Sequence, residues 1–132
     1  METVTVKVAE HALNPEISIL RIQGILYATT LPPVHKAFQE VLKNKKKKII
    51  FDLSETTYIS SGGWGLFIAF HQAAKEMDAV IAMTGMKQEV FDAFELLEYD
   101  KVLAYFTTTE DALKQGFGKP SGLVNSPNIA LA

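Results

Sequence analysis

Tyr58-Ile59-Ser60-Ser61-Gly62-Gly63-Trp64-Gly65-Leu66 is a polar, glycine-rich turn set between two apolar stretches. Ile49-Ile50-Phe51-Asp52-Leu53 runs towards it, and Leu66 to Ala74 leaves it. Strand, turn, then helix is the simplest reading. Ser60 and Ser61 fall where the helix begins, and serine is favoured there because its oxygen accepts a free N–H of the first turn. The glycines let the backbone turn sharply and keep bulk away from the hydroxyls. One or two serine hydroxyls are thus presented at a helix start, with Trp64 beside them.

The bounds around this turn are those of an ordinary globular domain. A chain of 132 residues buries a core without staples. Hydrophobic residues are 48% and charged residues 21%, which argues against wholesale disorder. The net charge of -2 gives no basic field for nucleic acid. Cysteine is absent, which excludes disulfides, thiolate metal sites and cysteine nucleophiles. The start, Met1-Glu2 followed by alternation, does not read as a signal peptide. No apolar stretch reaches the length of a membrane span. A cytoplasmic domain without membrane contact is the expectation.

Val4, Val6 and Val8 alternate with polar residues, the period of a half-buried strand. Asn14-Pro15 marks a turn. Ile17, Ile19, Leu20 and Ile22 form a second strand that Gly24 ends. Its phase slips between Ile19 and Leu20, so either a bulge lies there or both faces are covered. Thr29 and Thr30 before Leu31-Pro32-Pro33 signal a helix start, and Val34, Phe38, Val41 and Leu42 make its apolar stripe. Lys43 and Lys45 to Lys48 end that helix as a solvated loop, with an anionic-surface contact as the sharper alternative. After the turn, Leu66, Phe67, Ile68, Phe70, Ala73 and Ala74 make a helix apolar on most sides, either deeply buried or turned to a partner. Ala79 to Met83 reads as a fourth strand closed by Thr84-Gly85. Val90, Phe91, Phe94 and Leu97 give a third helix, and Val102 to Phe106 a fifth strand. Thr107-Thr108-Thr109-Glu110-Asp111 carries two overlapping capping boxes before a last helix that Gly116 stops. The alternation predicts an α/β domain over residues 1–116, with a mixed, mostly parallel sheet of about five strands and about four helices. The first strand adds antiparallel or at an edge. Residues 117–132, punctuated by Gly118, Pro120, Gly122 and Pro127, read as a flexible tail.

Chemistry at the turn narrows by elimination. A nucleophilic serine needs a base within reach and an oxyanion hole. The turn lacks the Gly-x-Ser-x-Gly spacing of a hydrolase elbow. His11 lies in a terminal loop, His35 sits at a surface-type helix position, and His71 is roughly 15 Å along the helix by its rise per residue. No lysine and hydroxyl complete a phosphate loop after Gly62-Gly63-Trp64-Gly65, and the dinucleotide fingerprint fails at Ile68. Metal ligands do not cluster. Asp52 reads as a hydrogen-bond acceptor near a strand end. The expectation is a protein that is not an enzyme and takes no cofactor or metal.

A serine serving as a modification site on an interaction surface remains. A phosphate at a helix N-terminus meets free N–H groups and adds about -1.5 to -2 charges, so it can break a contact without unfolding the domain. Trp64 is either a partner-facing anchor or a core residue at the helix start. From composition and spacing alone, plain helix capping is the stronger account of Ser60 and Ser61.

The chain resembles the STAS domain family, the bacterial anti-sigma factor antagonists, over roughly residues 3 to 115. The resemblance rests on the element order and on Phe51-Asp52-Leu53-Ser54 followed by the turn. Ser61 matches the family's phosphoacceptor, Ser60 stands where Asp is frequent, Gly62 is the small residue and Gly63 the family glycine. Trp64 replaces an aliphatic residue, and Ile25-Leu26-Tyr27 stands where an acidic residue is common. The resemblance implies regulation of transcription by partner switching. The unphosphorylated form binds an anti-sigma factor serine kinase, phosphorylation of Ser61 (Ser60 as second choice) breaks that complex, and a serine phosphatase restores it. The implied surface is Ser60, Ser61, Gly62, Gly63 and Trp64, with Leu26, Tyr27 and Thr29 after the second strand and Thr84, Gly85 and Met86 after the fourth. The alternative is an unphosphorylated STAS module that binds a small ligand or scaffolds a signalling complex. The oligomeric state is not legible.

Overall fold

The computed structural model describes residues 3–115. The expected stop at Gly116 and the segment 117–132 lie outside the described residues. The elements are β1 (Val4–Glu10), β2 (Ile17–Leu26), α1 (Leu31–Lys43), β3 (Lys48–Ile59), α2 (Ser61–Glu76), β4 (Val80–Thr84), α3 (Gln88–Leu96), a 3-10 turn (Tyr99–Lys101), β5 (Tyr105–Phe106) and α4 (Thr109–Lys114). The five strands stand in chain order, β1 antiparallel to β2 and every later pair parallel. The mixed, mostly parallel sheet with four helices is therefore the predicted one. The first strand is both antiparallel and at an edge.

The sheet is covered unequally. Val34 and Phe38 of α1, Trp64, Phe67 and Phe70 of α2, and Val90 and Phe94 of α3 share one core with Leu20, Ile22, Ile49, Phe51 and Leu53. On the other face α4 contributes Ala112 to a small cluster with Ile17, Ile50, Ala82 and Phe106. Period-two alternation along β3 feeds both clusters. The slip at Ile19–Leu20 is thus two covered faces: Leu20 joins the larger core, and Ile19 packs on the smaller. Central α2 is apolar on most sides because α1 flanks it on one side, with Phe38 and Phe70 stacked at 4.0 Å, and α3 on the other, with Trp64 and Phe94 at 5.8 Å.

Several boundaries differ from those expected. β2 does not end at Gly24 but continues to Leu26, with Gly24 at φ 119 facing the start of β1. β3 runs to Ile59 because Thr56, Thr57, Tyr58 and Ile59 are good strand formers and the Thr56 hydroxyl donates to the Ile22 carbonyl at 2.7 Å. Its register against β2 shifts between Arg21 and Gln23 and again after Gly24, each time with one extra residue in β3. Such bulges bend a strand. Pairing of β3 with β4 ends at Asp52–Thr84, and the rest of β3 passes beside α3. β5 keeps only Tyr105–Phe106, because Tyr99–Lys101 form a 3-10 turn and Val102 is exposed. Leu97, expected on the α3 stripe, lies beyond the helix and is exposed. The lysine run is tied down only in part: Lys43 and Lys45 are exposed as expected, whereas Lys46 Nζ donates to the Pro15 carbonyl at 2.6 Å and pairs with Glu10, and Lys47 Nζ donates to the Met77 carbonyl at 2.8 Å.

Candidate functional site

The Ser60–Ser61 turn is held by its own backbone. Ser60 is the N-cap of α2 in an extended conformation, and its Oγ accepts the Gly63 N–H at 3.2 Å. Its N–H donates to the Leu26 carbonyl at 2.8 Å, and its carbonyl accepts the Trp64 N–H at 2.9 Å. Ser60 thus locks the helix start to the end of β2. Ser61 is the first residue of α2, is exposed, and its hydroxyl has no partner among the described residues.

Glycine is required at one of the two adjacent positions. A Cβ on Gly63 would lie 2.8 Å from Ile59 Cγ2 and 3.4 Å from Leu26 Cβ, so the helix start can approach both strand ends only without one. A Cβ on Gly62 would meet Ser60 Oγ and Leu31 at ordinary contact distances, 3.7 and 3.8 Å.

The loop after β2 flanks the turn, whereas the loop after β4 lies farther back along β3, beside Asp52 and Ser54. After β2, Thr30 donates from Oγ1 to the Ile25 carbonyl at 2.6 Å and accepts the Tyr27 N–H at 3.0 Å. Thr30 is the positional N-cap of α1, yet its side chain braces this loop instead of capping the helix. After β4, Gly85 takes φ 72, and its N–H donates to the Thr107 carbonyl at 3.2 Å. The Tyr105 phenol hydrogen-bonds to the Met86 backbone, and burial pushes that phenol's pKa up.

The predicted surface divides under this geometry. Ser61, Gly62 and Thr29 are exposed, and Ser60, Tyr27 and Gly85 are half-buried. Leu26, Gly63 and Trp64 are buried beneath the turn, whereas Thr84 and Met86 are buried at the end of β4, where Thr84 pairs with Asp52, seven residues before Ile59. Trp64 is only 1% exposed, so the anchor alternative is corrected in favour of the core one. It lies on the same helix face as Phe67, three residues on, and stacks on Tyr99 at 5.1 Å. The Thr84 hydroxyl pairs with Thr109 of α4 at 3.2 Å. The aromatic that does stand out is Tyr58, 55% exposed, which precedes the turn by two residues and was not among the expected contacts. Its signal was the extended run Thr56 to Ile59, hidden by the polar residues before it.

Neither the carboxylates before the turn nor the three histidines pair with Ser60 or Ser61. Asp52 accepts Arg21 Nε at 3.1 Å on one oxygen and the Ser54 N–H at 3.0 Å on the other, the acceptor role expected of it. Glu55 lies 3.7 Å from the same guanidinium. His11 accepts the Leu13 N–H, and His35 stacks on Phe70 at 6.0 Å, nine residues along α2 from Ser61. His71 has its pKa lowered by burial and then by Lys75. Among the described residues no group of three or more His, Asp or Glu side chains is placed to hold a metal ion. No helix among them is long and apolar enough to cross a membrane.

A STAS domain profile matches residues 9–112. The chain belongs to the STAS domain family. The STAS fold also recurs in solved structures. An anti-sigma factor antagonist from Mycobacterium paratuberculosis is 20% identical, with a TM-score of 0.75 over 85% of this chain and 92% of that one. The anti-sigma factor antagonist SpoIIAA in its unphosphorylated form is 13% identical, with a TM-score of 0.69 over 85% and 96%. The murine anion transporter Slc26a9 is 11% identical, with a TM-score of 0.61 over 87% of this chain but 22% of its own. At such identities the likeness is one of fold.

Proposed function

We propose that this STAS domain is an anti-sigma factor antagonist. In this reading it regulates transcription by partner switching, with Ser61 as the phosphoacceptor, an anti-sigma factor serine kinase as the partner and a serine phosphatase as the resetting enzyme. The observation that carries the reading is the division of labour between the serines. Ser60 Oγ is engaged with the Gly63 N–H, whereas the Ser61 hydroxyl is exposed at the first residue of α2. A phosphate on Ser61 would sit at the positive end of the helix, where free N–H groups tolerate an anion. It would leave the half-buried Ser60 bridge intact and add about -1.5 to -2 charges to the exposed surface. Ser60 in the place of the frequent Asp removes a fixed charge beside the acceptor, so charge at this turn would arise from modification alone.

Partner capture from source-cell extract with wild type, Ser61→Ala and Ser61→Asp as baits tests the reading. Wild type and Ser61→Ala should retain a kinase of the ATPase fold and Ser61→Asp should lose it, with phosphate mapping to Ser61 by mass spectrometry. Identical retention by all three baits would replace the switch with a scaffold role.

A further inference from the structure

Beside the Ser61 turn lies a cavity of 260 Å³. It forms where β3 and β4 diverge: pairing stops at Asp52–Thr84, and the bulged end of β3 runs on beside α3. Tyr58 and Ile59 line it from β3, Val90 and Ala93 from α3, and Trp64 from α2. Among its lining residues the one charged side chain is Glu89, exposed and without an ion pair or hydrogen bond among the described residues. An apolar recess with an exposed tyrosine is the composition of an interaction hot spot.

We propose that this cavity receives one aliphatic side chain of a protein partner, and that a lysine or arginine next to it pairs with the Glu89 carboxylate. The mostly apolar lining selects an aliphatic group, and the single unpaired carboxylate selects the charge of its neighbour. The proposal rests on reading the Ser61 turn as a partner surface, and extends that surface along β3 to α3. It replaces Trp64 with Tyr58 as the exposed aromatic of the contact.

Titration of the full-length, isotope-labelled chain with three capped pentapeptides tests it by NMR. Gly-Lys-Leu-Lys-Gly should give saturable shifts at the Tyr58, Glu89 and Ala93 amides and the Trp64 indole N–H. Gly-Lys-Ala-Lys-Gly should bind about tenfold more weakly, having lost the buried side chain. Gly-Glu-Leu-Glu-Gly should bind about threefold more weakly, the scale of an exposed ion pair. Ala93→Phe should abolish the shifts by filling the recess. Glu89→Lys, at an exposed helix position that leaves folding intact, should reverse the preference between the lysine and glutamate peptides. Absence of saturable shifts, shifts confined to other surfaces, or equal binding of the leucine and alanine peptides would overturn the proposal, as would an unchanged charge preference in Glu89→Lys. None of these readouts involves Ser61 or phosphate. A failed switch would appear as identical capture by the three Ser61 baits, whereas a failed cavity would appear in the titration alone.

Discussion

The two adjacent serines differ in what their oxygens already do. Ser60 Oγ satisfies the Gly63 N–H, one of the donors that a helix start leaves without an intrahelical partner. Ser60→Ala should therefore destabilise the domain by about 0.5–2 kcal/mol. Ser61→Ala removes an exposed hydroxyl and should stay within about 0.5 kcal/mol of wild type. Urea unfolding of the two variants checks the contrast, and equal losses would mean that Ser61 also supports the turn. That one serine caps was legible from its position before an apolar helix; which one was not, because the strand could end at either residue. Trp64 was legible in principle. With Phe67, Phe70 and Ala74 it makes a buried row at spacings of three, three and four. A stripe counted only from Leu66 leaves it outside and open to an anchor role.

At the scale of elements, the alternation of apolar runs gave every strand and helix, and errors gathered where polar residues continue a strand or apolar residues leave one. β3 passes through Ser54, Glu55 and Thr57 because one side of its bent end is open, so no apolar pattern marks it. Val102 and Leu103 look like strand residues, but the 3-10 turn before them uses up the length of β5. Gly24 looked like a terminator, yet its left-handed backbone keeps β2 paired to the start of β1. A Cβ there would lie 2.5 Å from the Thr3 carbonyl oxygen. Gly24→Ala should cost about 1–3 kcal/mol, the scale of backbone strain. Gly65→Ala is the matched control: nothing lies within 4 Å of the added carbon, and a helical position should gain about 0.5–1 kcal/mol. Paired thermal melts check the opposite signs. Equal shifts in one direction would show that helix and strand propensity matter more here than the contact with Thr3.

Across the whole molecule, the two faces of the sheet carry unequal cores. Helices α1, α2 and α3 and the aromatic series Phe38, Phe51, Phe67 and Phe70 fill one face. The six-residue α4 and Phe106 of β5 close a cluster of small members, including Ala82, Ala104 and Ala112, on the other, while Tyr105 joins the larger core. The order of elements in the sequence implied the sheet but not this asymmetry, because an alternating β3 has the same pattern whether its second face is thinly or thickly covered. Buried apolar area sets how much each unit resists opening, and units with few such contacts open at lower free energy than the global transition. Native-state hydrogen exchange should therefore find the amides of Ile49 to Leu53 in the slowest class and those of α4 exchanging through a lower-energy opening. The Ser61 turn joins β3 to α2, inside the thick half, so Ser61→Asp should leave the slow class unchanged even where it abolishes partner binding. If the slow class collapses in that variant, the negative charge acts by loosening the core and not by altering the surface.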